Sequence, residues 1–162
     1  MKIRVVSQYW FKQHGWGHLP EPVYLHPESP FWRENNFISI RYSAETNANC
    51  AIPTDGVNIL KLRFDDSVFD SDGTLILFNE ALAEEIRQFS LRIAPERMLF
   101  INCGAGISRS GAVGEVLNDY FNKYLESIPA DDEYFRRANP QILPNPLVRR
   151  ILREKLFGRV YP

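Results

Sequence analysis

The stretch from Asn102 to Gly111, Asn-Cys-Gly-Ala-Gly-Ile-Ser-Arg-Ser-Gly, constrains the fold more than any other part of the chain. An apolar run over residues 98–101 precedes it and predicts a buried strand, and apolar side chains recur at helical spacing from Val113 to Tyr124. We therefore expect a tight loop that joins the carboxyl end of a strand to the amino end of a helix.

This loop has the composition of a phosphate cradle. A helix N-terminus carries unpaired N–H groups and the positive end of the helix dipole. Gly104 and Gly106 allow the backbone to turn its N–H groups inward, and Arg109 adds a planar guanidinium that suits phosphate oxygens. A thiol at Cys103 that faces these groups is expected to have a lowered pKa. The pattern indicates phosphoryl transfer to sulfur, and the alternative is a buried cysteine in an ordinary strand-to-helix turn.

The motif Cys103-x5-Arg109-Ser110 resembles the signature loop of the cysteine-based protein tyrosine phosphatases. Its full form is most similar to the small dual-specificity-like branch found in bacteria and phages. The resemblance implies that Arg109 clamps two phosphate oxygens and that the Ser110 hydroxyl stabilises the thiolate as it leaves, although a serine here also suits a helix N-cap. The residues expected to bind phosphate are Gly104, Ala105, Gly106, Ile107, Ser108 and Arg109.

Phosphoryl transfer from a phenol also needs an acid for the leaving oxygen and a base for the water that follows. In the resembled family one aspartate on a loop upstream of the cysteine serves both steps, and the resemblance implies Asp66 for this role. Asp65 is the second choice, and Asp70 and Asp72 come next. The two adjacent aspartates also suit an ordinary strand-ending turn.

Asn102 departs from the family pattern, because most members carry histidine before the cysteine. Asparagine brings no charge, so we expect the Cys103 thiol to be less acidic than is usual in the family. The loop also lacks lysine, unlike the lipid-phosphate branch of the superfamily, which makes a highly charged inositol lipid a poorer candidate substrate.

The chain as a whole predicts an α/β fold. Strands are expected over residues 2–6, 37–40, 57–64 and 98–101, and helices over residues 78–93, 131–138 and 146–157 besides the one after the loop. Asn145 is expected to cap the last helix and Gly158 to stop it. The alternation implies a central, mostly parallel sheet of about four to five strands flanked by helices, as one domain over residues 1–162. Asp66 and Cys103 then lie at the same sheet edge.

The segment over residues 8–33 is unusual, because it holds all three histidines, all three tryptophans and four prolines. We expect an irregular aromatic loop that folds over the sheet, and it is also a candidate for the rim of the active site. His14 and His18 have the spacing of metal ligands on a helix, but Gly15 and Gly17 disfavour a helix there. No metal and no cofactor is therefore expected.

Charge and cysteine content narrow the function further. A net charge of −1 gives no electrostatic case for nucleic acid or an anionic membrane, and no apolar run approaches the roughly 18 residues that a membrane span needs. Two cysteines make no disulfide framework, and a reactive Cys103 favours the reducing cytoplasm. Cys50 is either an incidental thiol or a partner for an oxidised Cys103.

The sequence thus predicts a phosphatase that hydrolyses phosphotyrosine or similar phosphate monoesters, with a phosphorylated protein or a small aryl phosphate as substrate. One alternative is a phosphate-binding pseudophosphatase without turnover, for which Asn102 is the motive. The other is a rhodanese-type sulfurtransferase, which also uses a cysteine in an anion-binding loop but has no need of an acid such as Asp66.

Overall fold

A computed structural model describes residues 1–14 (side chains through Phe11), 29–45 and 56–158. Within these ranges the chain forms one four-stranded sheet in the order β1-β4-β2-β3, with every strand pair parallel. This confirms the predicted fold class, and it brings the carboxyl ends of all these strands to one edge. The strands are β1 Ile3–Ser7, β2 Asn36–Arg41, β3 Ile59–Arg63 and β4 Leu99–Cys103.

Helices cover both faces of this sheet. The first face carries α1 and α2, and the second carries α3, α4, α5 and α6. The helices are α1 Gln8–His14, α2 Pro30–Glu34, α3 Glu80–Arg92, α4 Arg109–Asp119, α5 Pro129–Ala138 and α6 Pro146–Phe157. None of the described helices is both long enough and apolar enough to cross a membrane.

Strand β4 lies inside the sheet and is buried on both sides. Leu99, Ile101 and Cys103 belong to the main apolar core beneath α3, α4 and α6. Phe100 points to the opposite face, where it packs with Phe11 and neighbouring aromatic side chains of the smaller core. A strand with apolar neighbours on both faces is held firmly in register, so the loop that follows Cys103 starts from a fixed point.

The helices of the main core agree closely with the sequence pattern. The Asn79 side chain caps α3 by accepting hydrogen bonds from the N–H groups of Ala81 and Leu82. Helix α6 has the predicted bounds, with Asn145 as its N-cap and with Gly158 after its end in a positive-φ conformation of 78°. Val148 of α6 is buried in the main core, and Leu147 is half-buried.

The segment predicted to be irregular over residues 8–33 contains two short helices, α1 and α2. Pro30 is the first residue of α2, and the Ser29 hydroxyl accepts a hydrogen bond from the Phe31 N–H group, which is ordinary helix-start chemistry. The prediction was wrong here because it took the many prolines and glycines as evidence of a loop and did not use Ser29-Pro30 as the start of a helix. Residues 15–28, which include His18, lie outside the described residues, as does Cys50.

The helix after the loop also differs from the prediction. Helix α4 ends at Asp119 and continues as a wider π-helical turn, Tyr120–Leu125. Asn122 of this turn is buried, and its amide donates to the Met1 carbonyl and to Asn118 Oδ1. Apolar spacing alone does not separate an α-helical turn from a π-helical turn.

Candidate active site

The phosphate loop, defined here as Cys103 to Arg109, begins at the carboxyl end of β4 and ends at the first residue of α4. Its carbonyl groups accept hydrogen bonds from groups outside the loop, which turns the carbonyls outward. The donors are the N–H of Gln8 to Gly104 (3.2 Å), the Nε2 of Gln141 to Gly106 (3.3 Å), the N–H of Leu143 to Ile107 (3.1 Å) and the N–H of Asn145 to Ser108 (3.2 Å). The loop N–H groups are therefore free to face inward.

Gly106 shows why glycine is needed at the turn of this loop. Its φ of +71° lies in the left-handed region, and an added Cβ would come within 2.4 Å of the carbonyl carbon of Val6. The loop thus packs directly against the backbone of β1. Ala105 is the exposed residue of the loop, whereas Gly106 is buried.

Cys103 lies at the floor of the cradle and is 3% exposed. Its Sγ is 3.0 Å from the Ser110 Oγ. Burial acts to raise the pKa of the thiol, but hydrogen bonds from the Ser110 hydroxyl and from three backbone N–H groups outweigh it and hold the pKa below its usual range. Those N–H groups belong to Gly106, Ile107 and Ser110. The arrangement stabilises a thiolate.

The position of Ser110 bears on one of the two roles that the sequence left open for it, that of helix N-cap. Ser110 is the second residue of α4, and the residue before the helix is Ser108. Ser110 is therefore not the N-cap, and its hydroxyl contacts the sulfur. It can donate a hydrogen bond to a thiolate.

Arg109 is 1% exposed, although its guanidinium has few partners. Nη1 donates to the Phe64 carbonyl at 2.9 Å, and Cζ lies 3.8 Å from the centre of the Tyr42 ring. Nε is buried and has no hydrogen-bond partner among the described residues. A buried N–H donor without a partner is costly, so Nε is well suited to an oxyanion in the cradle.

The two adjacent aspartates have different surroundings. Asp65 is 8% exposed, and its carboxylate accepts hydrogen bonds from the Ser43 hydroxyl, the Ser43 N–H and the Ile76 N–H. Burial acts to raise the pKa of Asp65, but these bonds and the charge of Arg109 hold it below the ordinary value. A carboxylate kept ionised in this way is a poor proton donor, so Asp65 does not suit the acid role.

Asp66 is exposed and lies against the phosphate loop. Its Oδ1 accepts a hydrogen bond from the Ser108 hydroxyl at 2.8 Å and another from the Asn145 amide at 2.8 Å. Both bonds go to the same oxygen, and Oδ2 accepts no hydrogen bond from the described residues. The structure thus brings Asp66 to the same cradle as Cys103.

The remaining candidates lie elsewhere. The Asp70 carboxylate accepts from the backbone N–H groups of Gly73, Thr74 and Leu75, so it shapes an exposed turn. Asp72 accepts from the Thr74 hydroxyl in the same turn. In the described ranges no group of His, Cys, Asp and Glu side chains could hold a metal ion; the side chains of both candidate histidines lie outside those ranges.

Asn102 faces away from Cys103 along β4, and its partners in register are Val6 and Ser39. It is 5% exposed, and its Oδ1 accepts no hydrogen bond within the described part of the chain. The groups that lower the pKa of Cys103 are therefore loop N–H groups and a hydroxyl, and the residue before the cysteine is not among them.

Sequence reasoning missed two residues of this site. Tyr42 directly follows β2, and only the pairing of β2 with β4 brings it to Arg109. Asn145 was predicted as a helix cap, and it also donates to Asp66. Each had a sequence signal: Tyr42 is an aromatic residue directly after a strand, and Asn145 is a polar residue directly before a helix.

Neither a protein-family model nor a curated protein matches this sequence. Among solved structures, human DUSP28 matches with a TM-score of 0.50 and 15% identity, over 96% of this chain and 91% of that chain. PTPMT1 in complex with PI(5)P gives a TM-score of 0.49 and 15% identity, over 96% and 90% of the two chains. Tk-PTP in the active form gives 0.48 and 14%, over 97% and 92%.

The match to human DUSP28 shows the fold alone. The chain shares with human DUSP28 an α/β fold, which in this chain is a parallel four-stranded sheet flanked by helices.

Proposed function

We propose that this protein hydrolyses phosphotyrosine or similar phosphate monoesters through a phosphocysteine intermediate, as a member of the small dual-specificity-like branch of the phosphatases. The observation that carries the proposal is the environment of Cys103. Its thiol receives hydrogen bonds from Ser110 and inward loop N–H groups, and the Nε of Arg109 in the same loop has no partner in the described part of the chain. Such a cradle stabilises a nucleophilic sulfur and binds an oxyanion.

In the first step the Cys103 thiolate attacks phosphorus, a sulfur–phosphorus bond forms, and the bond to the leaving oxygen breaks. Arg109 and the loop N–H groups hold the three remaining oxygens, where charge spreads in the transition state. Asp66 gives its proton, carried on Oδ2, to the departing oxygen. The products of this step are the alcohol or phenol and the phosphocysteine.

In the second step Asp66, now ionised, takes a proton from a water molecule that attacks the phosphocysteine. The sulfur–phosphorus bond breaks, inorganic phosphate is released, and the electron pair returns to sulfur. The Ser110 hydroxyl, 3.0 Å from Sγ, stabilises the thiolate as it re-forms. No metal or cofactor takes part in either step.

A phosphorylated protein or a small aryl phosphate fits the substrate role. The loop has one cation, Arg109, and no lysine, which favours a single phosphate group over a highly charged inositol lipid. PTPMT1 in the matched structure carries PI(5)P, so a lipid phosphate belongs in any substrate panel. A thiolate nucleophile needs a reducing environment, which supports a cytoplasmic location.

A phosphate-binding role without turnover is the second candidate, because Asn102 leaves a buried Oδ1 without a described partner where most family members have histidine. A sulfurtransferase has weaker support, since Asp66 lies hydrogen-bonded against the phosphate loop, where sulfur transfer from thiosulfate would have no use for it.

The leaving-group dependence of hydrolysis tests the proposal. Asp66→Asn should slow an unactivated aryl phosphate or phosphotyrosine peptide by roughly 10²–10⁴-fold and an activated aryl phosphate much less. Asp65→Asn is the control, and its thermal midpoint is measured as well. Any loss of activity in this variant should follow from reduced stability and should not depend on the leaving group. Binding of phosphate without hydrolysis would support the second candidate, and turnover of thiosulfate the third.

A further inference from the structure

We infer that Tyr42 is a positioning residue that clamps the guanidinium of Arg109 in its phosphate-binding orientation. The inference rests on the proposed function, since Arg109 is taken to bind the substrate's phosphate. It starts from one contact, the Arg109 Cζ 3.8 Å above the centre of the Tyr42 ring. A cation this close to an aromatic face is attracted to the ring, most strongly when it is shielded from water.

The other contacts of the Arg109 guanidinium leave one movement for the Tyr42 ring to restrain. The Phe64 carbonyl holds Nη1 at 2.9 Å, and Nη2 lies beside Gly104. These contacts restrain the far end of the guanidinium but do not stop it from tilting about that end. The Tyr42 ring packs against the guanidinium and limits this tilt. Nε, which has no hydrogen-bond partner among the described residues, then stays available to an oxyanion in the cradle.

The ring also keeps water from the cation. Arg109 is 1% exposed, whereas Tyr42, which lies over it, is 46% exposed. A charge shielded in this way interacts more strongly with a bound anion than one in open solvent. Tyr42 therefore contributes to oxyanion affinity without a need to touch the oxyanion.

Tyr42 is itself held in place by Asp65. The residue after it, Ser43, donates its hydroxyl to Asp65 at 2.6 Å and its N–H at 3.0 Å. The Tyr42 N–H donates to the Glu45 carboxylate at 3.2 Å. Asp65, the residue before Asp66, therefore has a structural role: its carboxylate anchors the segment that carries the Tyr42 ring.

The test compares Tyr42→Phe with Tyr42→Leu. Phenylalanine keeps the aromatic face, so we expect its affinity for inorganic phosphate to stay within about twofold of the wild type. Leucine removes the face, so we expect about a tenfold loss of phosphate affinity and a fall in kcat/KM of at least the same size, seen partly as a rise in KM. Phosphate binding is measured by calorimetry in the Cys103→Ser background, and the thermal midpoint is recorded for each variant.

The effect must pass through Arg109, so the same change is made in an Arg109→Ala background and, should that variant fail to fold, in Arg109→Lys. We expect Tyr42→Leu to have little further effect on phosphate affinity there. The inference is overturned if Tyr42→Leu binds inorganic phosphate as tightly as the wild type and loses only aryl substrates, because the ring would then contact substrate. It is also overturned if the loss persists in full without Arg109. Absence of hydrolysis by the wild-type protein would instead contradict the proposed function and leave the phosphate-binding comparison intact.

Discussion

Replacing Ser110 with alanine removes the hydroxyl that lies 3.0 Å from the Cys103 sulfur. Ser110 is fully buried, and the loss of its one side-chain oxygen leaves only a small gap. A hydrogen bond to a charged group contributes about 1.5–3 kcal/mol, and one pKa unit corresponds to about 1.4 kcal/mol. The thiolate should therefore lose about 1.5–3 kcal/mol of stabilisation, which raises the pKa of Cys103.

The rate of alkylation by iodoacetamide, followed against pH, measures this pKa directly. We expect the midpoint for Ser110→Ala to move to higher pH, and kcat to fall because the thiolate is also the leaving group of the second step. Ser108→Ala is a matched control, since the Ser108 hydroxyl donates to Asp66 and not to the sulfur. Its alkylation midpoint should stay close to that of the wild type. An unchanged midpoint in Ser110→Ala, or an equal change in both variants, would refute the assignment of Ser110.

Three further changes test other parts of the site. Gly106→Ala should destabilise the fold and abolish phosphate binding. Gly73→Ala is the control, because Gly73 has φ +75° but no atom within 4 Å of the added Cβ, so it should show only the backbone cost of about 1 kcal/mol. Equal effects of the two variants on thermal unfolding would contradict the tight approach at Gly106. Asn145→Asp keeps the helix cap but replaces the amide donor to Asp66 Oδ1 with a second carboxylate that repels it, so kcat should fall more for an unactivated aryl phosphate than for an activated one. An equal change for both substrates would argue against Asp66 as the acid. Asp65→Asn should lower the free energy of unfolding by about 2 kcal/mol at pH 7. The folded-state pKa of Asp65 lies below its ordinary 3.8, so this loss of unfolding free energy should persist above pH 3.8 and disappear as the pH falls through the folded-state value. Urea unfolding of both proteins at pH 7 and pH 3 measures it, and an equal loss at the two pH values would show that the carboxylate is not responsible.

The parts of the structure that could be predicted from sequence are those that depend on neighbours along the chain. The loop between β4 and α4 follows from an apolar run, two glycines and a helical repeat, and all of these signals are local. Helix α6 begins after Asn145 and ends before Gly158 as predicted, because capping residues act on the helix that they adjoin. Asp66 and Cys103 reach one edge of the sheet because parallel strands end on the same side.

The parts that could not be predicted depend on contacts between distant segments. The order β1-β4-β2-β3 places the last strand in the chain between the first two, and no local pattern carries that information. The contact of Tyr42 with Arg109 follows from this order. Gln141 and Leu143, in the segment before α6, donate hydrogen bonds to carbonyls of the phosphate loop, and nothing in the sequence around them predicts these contacts. The assignment of Asp66 as the acid stays a prediction that kinetics must test.

Detection of a phosphate group on the Cys103 sulfur tests the central claim most directly. The wild-type protein is mixed with a ³²P-labelled aryl phosphate, quenched within milliseconds to seconds, digested and mapped, with Cys103→Ser as the control. We expect the label on the peptide that contains Cys103, increased in Ser110→Ala because the phosphocysteine then breaks down more slowly, and absent in the control. Hydrolysis at a normal rate with no label on Cys103, or with the label retained in Cys103→Ser, would contradict the phosphocysteine mechanism.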